Sequence, residues 1–159
     1  MSEPNRTPTP LLDPVVVTVS VPADAAVAFE VFTTGLGSWW PLAGFSLGAD
    51  RITAVEVDGR VGGRIDEVWD DGTRRQWADV LAWDPPHTVA LAWNPGGYEA
   101  GRAPTRVDVT FAEETPGTTT VRLVHTGWEV WGAEAEETRA GYDSGWVEVL
   151  GGYVARLRS

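Results

Sequence analysis

Cysteine is absent from this 159-residue chain. That excludes disulfides, thiolate metal sites and cysteine nucleophiles. Histidine is scarce: His87 and His125 are the only two. A histidine-rich metal centre is therefore excluded, one histidine with carboxylates being the arrangement left open, and no metal is expected. Basic side chains are few, 12 Arg and Lys against 23 Asp and Glu, for a net charge of −11. Nucleic-acid binding needs a basic face to replace phosphate counterions, and anionic membranes make the same demand, so neither partner is expected. The acidity reads as solubility. No apolar run approaches the roughly 20 residues that span a bilayer. Met1 to Pro10 is polar and proline-rich, without the basic-then-apolar order of a signal peptide, and a cytoplasmic location is expected. The phosphate-binding glycine loop, the dinucleotide fingerprint and the GxSxG elbow are all missing. Gly96, Gly97 and Gly101 lie in a loop that leads into no expected helix. No cofactor is expected.

What the chain does contain is nine tryptophans. Each buries a large apolar area and needs a partner for its indole N–H, so this number points to a deep aromatic core or an aromatic-lined pocket. The hydrophobic fraction, 43%, is ordinary for a globular domain, and the length fits one domain with a sizeable core. Residues 1–12 read as a flexible tail and 13–159 as a single domain. Val15, Val17, Val19 and Val21 alternate with polar neighbours, a strand with one buried face. Pro22-Ala23-Asp24 opens a short helix whose apolar stripe is anchored by Val27 and Val31. A second short helix is expected over Leu36 to Trp40, ended by Pro41. From Arg51 the period is two. Strands are expected around 53–57, 61–69, 74–83, 88–93, 105–111 and 119–126, separated by turn signals such as Asp70-Asp71-Gly72. Residues 95–103 read as a glycine-rich loop. The last quarter is a long amphipathic helix from about Glu134, roughly 24 residues and 35 Å at 1.5 Å per residue. Tyr142, Trp146, Leu150, Tyr153 and Leu157 share one face. Gly141, Gly145 and Gly152 sit on or beside it. Glycine in a helix interior costs about 1 kcal/mol relative to alanine, so close approach to a sheet or a ligand is the expected reason. The fold class is α+β: a curved antiparallel sheet of about seven strands wrapped around a long C-terminal helix, with two short helices after the first strand.

This order resembles the START/Bet v 1-like (SRPBCC) superfamily. Several local patterns are similar to the branch related to the activator of Hsp90 ATPase. They are Val21-Pro22-Ala23-Asp24-Ala25-Ala26-Val27-Ala28-Phe29, Trp39-Trp40-Pro41, Val61-Gly62-Gly63-Arg64-Ile65-Asp66-Glu67, Trp77-Ala78-Asp79-Val80, Trp83-Asp84-Pro85-Pro86 and Gly145-Trp146. The resemblance covers residues 14–158. It implies a helix-grip fold with a cavity between the sheet and the last helix. It also implies a range of roles, from ligand carriers to cofactor-independent cyclases, and leaves a chaperone partner open. The eukaryotic co-chaperone has a separate N-terminal domain, where this chain has only a short tail. A homodimer is compatible with the sequence, though nothing in it demands one.

Alternation assigns candidate site residues. His125 shares an apolar face with Val121 and Leu123, where a neutral imidazole can donate one hydrogen bond and accept another. The plainer alternative is a core histidine with protein partners. Glu67 shares a face with Ile65 and Trp69. If that face points inward, the carboxylate needs partners and becomes a candidate acid, base or ligand anchor. If Arg64, Asp66 and Val68 point inward, Glu67 is solvated, and a bulge near the glycines would swap the faces. Trp93, with Val89 and Leu91, is expected to be interior. The faces of the 74–83 strand stay open between Trp77 and Trp83 on one side and Gln76, Ala78 and Val80 on the other. Trp39 and Trp40 either cap the grip or gate the cavity, with Trp128 and Trp131 covering the same mouth. Glu129, Glu134, Glu136 and Glu137 favour the helix N-terminus. Tyr142, Trp146 and Tyr153 should face the sheet, and buried tyrosine hydroxyls need a ligand, water or protein partner. The expected function is binding of a small apolar or aromatic molecule by Trp93, His125, Tyr142, Trp146, Tyr153, Trp39, Trp40 and Glu67. The alternatives are an acid–base cyclase using Glu67 and His125, and a stress-related protein-interaction module.

Overall fold

The computed structural model describes residues 12–159; the expected tail falls almost wholly outside them. Seven strands form one antiparallel sheet: β1 (Val15–Val21), β2 (Ile52–Val57), β3 (Arg64–Trp69), β4 (Arg74–Asp84), β5 (Thr88–Trp93), β6 (Thr105–Thr115) and β7 (Thr118–Thr126). Their order across the sheet is β1-β7-β6-β5-β4-β3-β2. Strands β2 to β7 are therefore a meander, and β1 closes the row by pairing with β7, Val15 opposite His125 and Val21 opposite Thr119. The sheet curls around α3 (Ala135–Arg158), the 24-residue helix expected from the aromatic spacing. Glu136 and Glu137 stand in its first turn and Arg156 and Arg158 in its last, matching the helix dipole.

Helix α1 (Ala25–Phe32) begins at Asp24, whose side chain accepts from Val27 N at 2.8 Å. Its buried face is Ala28, Phe29 and Phe32, while Val27 is 43% exposed. The apolar stripe is thus rotated from the one expected through Val27, because three larger or better placed side chains claim the core. The second short helix is smaller than expected, a single 3-10 turn over Leu36–Ser38. Strand β3 starts at Arg64, later than expected, because residues 61–63 form a turn. The glycine-rich segment after β5 contains a one-turn helix, α2 (Gly97–Ala100), between left-handed glycines at 96 and 101.

The core lies between the concave face of the sheet and α1 with α3. Its aromatic side chains interlock at edge and tilted angles, among them Trp40–Trp77, Trp93–Trp146 and Phe32–Tyr153, with ring centroids 4.9, 5.4 and 5.0 Å apart. Strand β4 carries two register shifts. Ile65 pairs with Ala78 but Asp66 with Gln76, and Val80 pairs with Leu91 but Ala82 with Ala90. Each shift leaves one residue of β4 without a partner, Trp77 and Leu81, and resets the alternation. That is why Trp77, Ala78 and Val80 are all buried, and why neither simple face assignment for 74–83 holds.

Candidate functional site

Glu67 is fully buried. Oε1 accepts from Trp77 Nε1 at 2.7 Å and Leu47 N at 2.9 Å. Oε2 accepts from Trp69 Nε1 at 2.6 Å and Gly48 N at 2.7 Å. A carboxylate offers about four acceptor positions, and here all are taken. The inward face of β3 is therefore Ile65 with Glu67. Asp66, on the opposite face, is held by Arg64 and Arg74. Glu67 fastens the 42–48 segment to the sheet. Gly48 is required there: a Cβ at that position would lie 2.3 Å from Trp69 Nε1.

His125 is also fully buried. Its Nδ1 accepts from Trp146 Nε1 at 2.9 Å. An indole N–H only donates, so Nδ1 carries the lone pair and the ring proton sits on Nε2. Nε2 then donates to Thr105 Oγ1 at 2.6 Å, and the threonine donates to Trp93 O at 3.0 Å. One directed chain links α3, β7, β6 and β5. Burial pushes the imidazole pKa down to about 3, which keeps the ring neutral. Tyr153 makes a third buried bond, its hydroxyl donating to Ala28 O at 2.7 Å and so tying α3 to α1. Trp39 Nε1 donates to Val31 O and Trp40 Nε1 to Phe45 O, both at 2.8 Å.

With these groups in place the deep interior has little room. The space among Phe32, Leu36, Trp40, Val80, Leu91 and Trp146 is about 20 Å³, about one water. A larger opening lies at the mouth of the grip, between the N-terminal half of α3 and the 44–47 segment, with a volume of about 320 Å³. Trp40, Trp93, Tyr142 and Trp146 form its aromatic walls, and Phe45 and Leu47 its outer side. Tyr142 stacks on Trp146 with centroids 6.2 Å apart and planes at 28°. The helix glycines explain the opening. A Cβ at Gly141 would meet nothing within 4 Å, and at Gly145 only Phe45 at 3.3 Å; both positions line the pocket. Gly152 serves a different contact, since its Cβ would lie 2.8 Å from Trp39 O. The close approach inferred from the glycines is thus made by Gly145 and Gly152, to the 39–45 segment rather than to the sheet, and Gly141 makes none.

The structure brings together Trp40, Trp93, Tyr142 and Trp146 of the sequence-derived candidates. Glu67 and His125 stand behind the pocket walls, one holding its outer segment and the other orienting Trp146. Trp39 and Tyr153 lie outside the lining. Trp128 packs on His125 with centroids 4.2 Å apart, and Arg102 lies 3.8 Å over the Trp131 ring. Alternation had no means of finding Phe45, Leu47 or Pro95, which line the pocket from irregular segments. Among the described residues no three His, Asp or Glu side chains gather to hold a metal ion, and no helix is long and apolar enough to cross a membrane.

Solved structures share this architecture. The self-sacrificing resistance protein CalC from Micromonospora echinospora is 27% identical, with 91% of this chain and 94% of that one aligned and a TM-score of 0.67. The anthrahydroquino-gamma-pyrone synthase Txn09 is 30% identical over 84% of this chain and 88% of its own, with a TM-score of 0.58. The Aha1 dimer from Colwellia psychrerythraea, at 18% identity, covers 92% of this chain and 96% of that chain with a TM-score of 0.65, a likeness of fold alone. No curated protein matches the sequence. The sequence model of one family matches residues 22–155, and the chain belongs to that family, the Activator of Hsp90 ATPase homolog 1-like proteins.

Proposed function

We propose that this protein binds a small planar aromatic molecule in the pocket between α3 and the 44–47 segment. The observation that carries the reading is an aromatic-walled opening of about 320 Å³ kept clear by two glycines inside a helix. Apolar, aromatic, concave sites of this size are where small ligands bind. Glycine at 141 gives the helix no packing advantage, so its effect is to leave the space empty. The test is calorimetric titration of 2-acetylnaphthalene into the wild-type protein and into Gly141→Leu. Saturable binding by the wild type, weakened at least about tenfold in the filled variant, is expected for a site whose volume has been taken by a side chain. Equal affinity for both proteins would remove the pocket from the account.

An enzyme acting on an aromatic molecule in the same pocket is the second reading, supported by the name and 30% identity of the synthase Txn09. Acid–base work by Glu67 and His125 has less support. The carboxylate has no free acceptor position, and both ring nitrogens of the histidine are engaged inside the core. The family's description, with its reference to Hsp90 ATPase, supports a chaperone-directed role in the same general way.

A further inference from the structure

Resting on the pocket reading above, we infer that the ligand carries an acceptor oxygen conjugated to its aromatic ring, and that the Tyr142 hydroxyl donates to it. Buried polar atoms in proteins are normally paired. Among the described residues the side-chain exceptions are three N–H donors, Trp93 Nε1, Arg102 Nε and Trp128 Nε1, and no acceptor. Trp93 and Tyr142 both line the pocket, and Trp128 packs against the Tyr142 ring with centroids 5.5 Å apart. Trp93 is only 4% exposed, so its indole N–H has little recourse to bulk water.

Tyr142 stands among these donors. Burial pushes its hydroxyl pKa up, while the Trp93 N–H and the Arg102 charge oppose that shift by favouring negative charge on the same oxygen. The Trp93 indole N–H thus approaches the hydroxyl oxygen without a hydrogen bond of ordinary geometry, and Trp128 packs beside the ring. Tyr142 lines the pocket and donates no hydrogen bond of ordinary geometry to a described residue, so its O–H proton is available to a ligand there. The other lining hydroxyls are Ser46 and Thr138. Ser46 is already engaged, donating to Leu42 O and accepting from Ala49 N. Thr138 is on the same helix, one turn nearer the N-terminus. An aryl ketone or similar carbonyl compound fits a site of aromatic faces with spare donors, because it supplies both the flat ring and an oxygen to accept from them.

The experiment compares 2-acetylnaphthalene with 2-isopropenylnaphthalene, which has the same shape with a CH₂ in place of the oxygen. Both are titrated into the wild type, Tyr142→Phe and Gly141→Leu, with circular dichroism confirming the fold. The expected result is tighter binding of the ketone by the wild type, and a loss of roughly 5–10-fold for the ketone in Tyr142→Phe, the size of one neutral hydrogen bond, with the alkene changed less than about twofold. Equal affinity of the two probes for the wild type, or an equal change of both in Tyr142→Phe, overturns the assignment of the donor while leaving the pocket in place. Binding of the ketone that survives in Gly141→Leu, or no binding of either probe to the wild type, overturns the pocket reading and the inference with it.

Discussion

Gly151 and Gly152 are neighbours on α3, but a methyl group meets opposite surroundings at the two positions. At 151 it meets nothing within 4 Å, and at 152 it meets Trp39 O at 2.8 Å. Gly151→Ala should therefore raise stability by about 1 kcal/mol, the helix-propensity difference. Gly152→Ala should lower it by about 1–3 kcal/mol, because a backbone carbonyl must shift. Urea midpoints of the two variants test the pair. His125 gives the residue scale a pH dependence. Its folded pKa lies at about 3 and its ordinary value at 6.5, so the unfolded chain takes up the proton first. The stability it contributes is complete above about pH 6.5 and declines as the pH falls toward about 3, by at most about 1.4 kcal/mol per unit from this one group. Unfolding free energies between about pH 7 and 5, a window above the ordinary carboxylate range, should show this gradient in the wild type and lose it in His125→Asn. A wild-type profile flat across that window would contradict the buried neutral ring.

At the scale of elements, the segment that forms the outer wall of the pocket is held at Leu47 and Gly48 by Glu67 and at Phe45 by the Trp40 indole. Glu67→Gln keeps the shape but replaces one acceptor oxygen by an NH₂ group facing N–H donors. At least one buried donor is left unpaired, a loss of about 1–3 kcal/mol. Hydrogen exchange at Leu47 and Gly48 should quicken more than exchange in β6 and β7; uniform quickening would mean that Glu67 supports the whole core and not this wall. The same elements show what the sequence could reveal. The face of α3 from Tyr142 to Leu157 and the buried face of β7 were legible, because each keeps one period along its length. Strand β4 was not, since its shifts at Trp77 and Leu81 break the period within a single run. The two faces of β3 could not be ranked, because both bury an acidic residue: Asp66 beside two arginines and Glu67 beneath two indoles. The 42–48 wall has no period at all, and its position depends on contacts with Glu67, Trp69 and α3 that are remote in sequence.

For the whole molecule, a ligand that binds only the folded state stabilises it by about 2.7 kcal/mol at a free concentration one hundred times its Kd. A thermal scan with saturating 2-acetylnaphthalene should raise the wild-type Tm by several degrees and leave that of Gly141→Leu unchanged. An equal rise in both would place the binding elsewhere. Without ligand the order should reverse, because leucine is a far better helix residue than glycine and no neighbour obstructs its Cβ. Stability and vacancy are thus opposed at one position on α3. A directed-evolution campaign that selected this protein for heat resistance alone would drift toward larger residues at 141. It would yield a sturdier chain with an intact fold and no vacancy, and an assay of folding would record the change as an improvement.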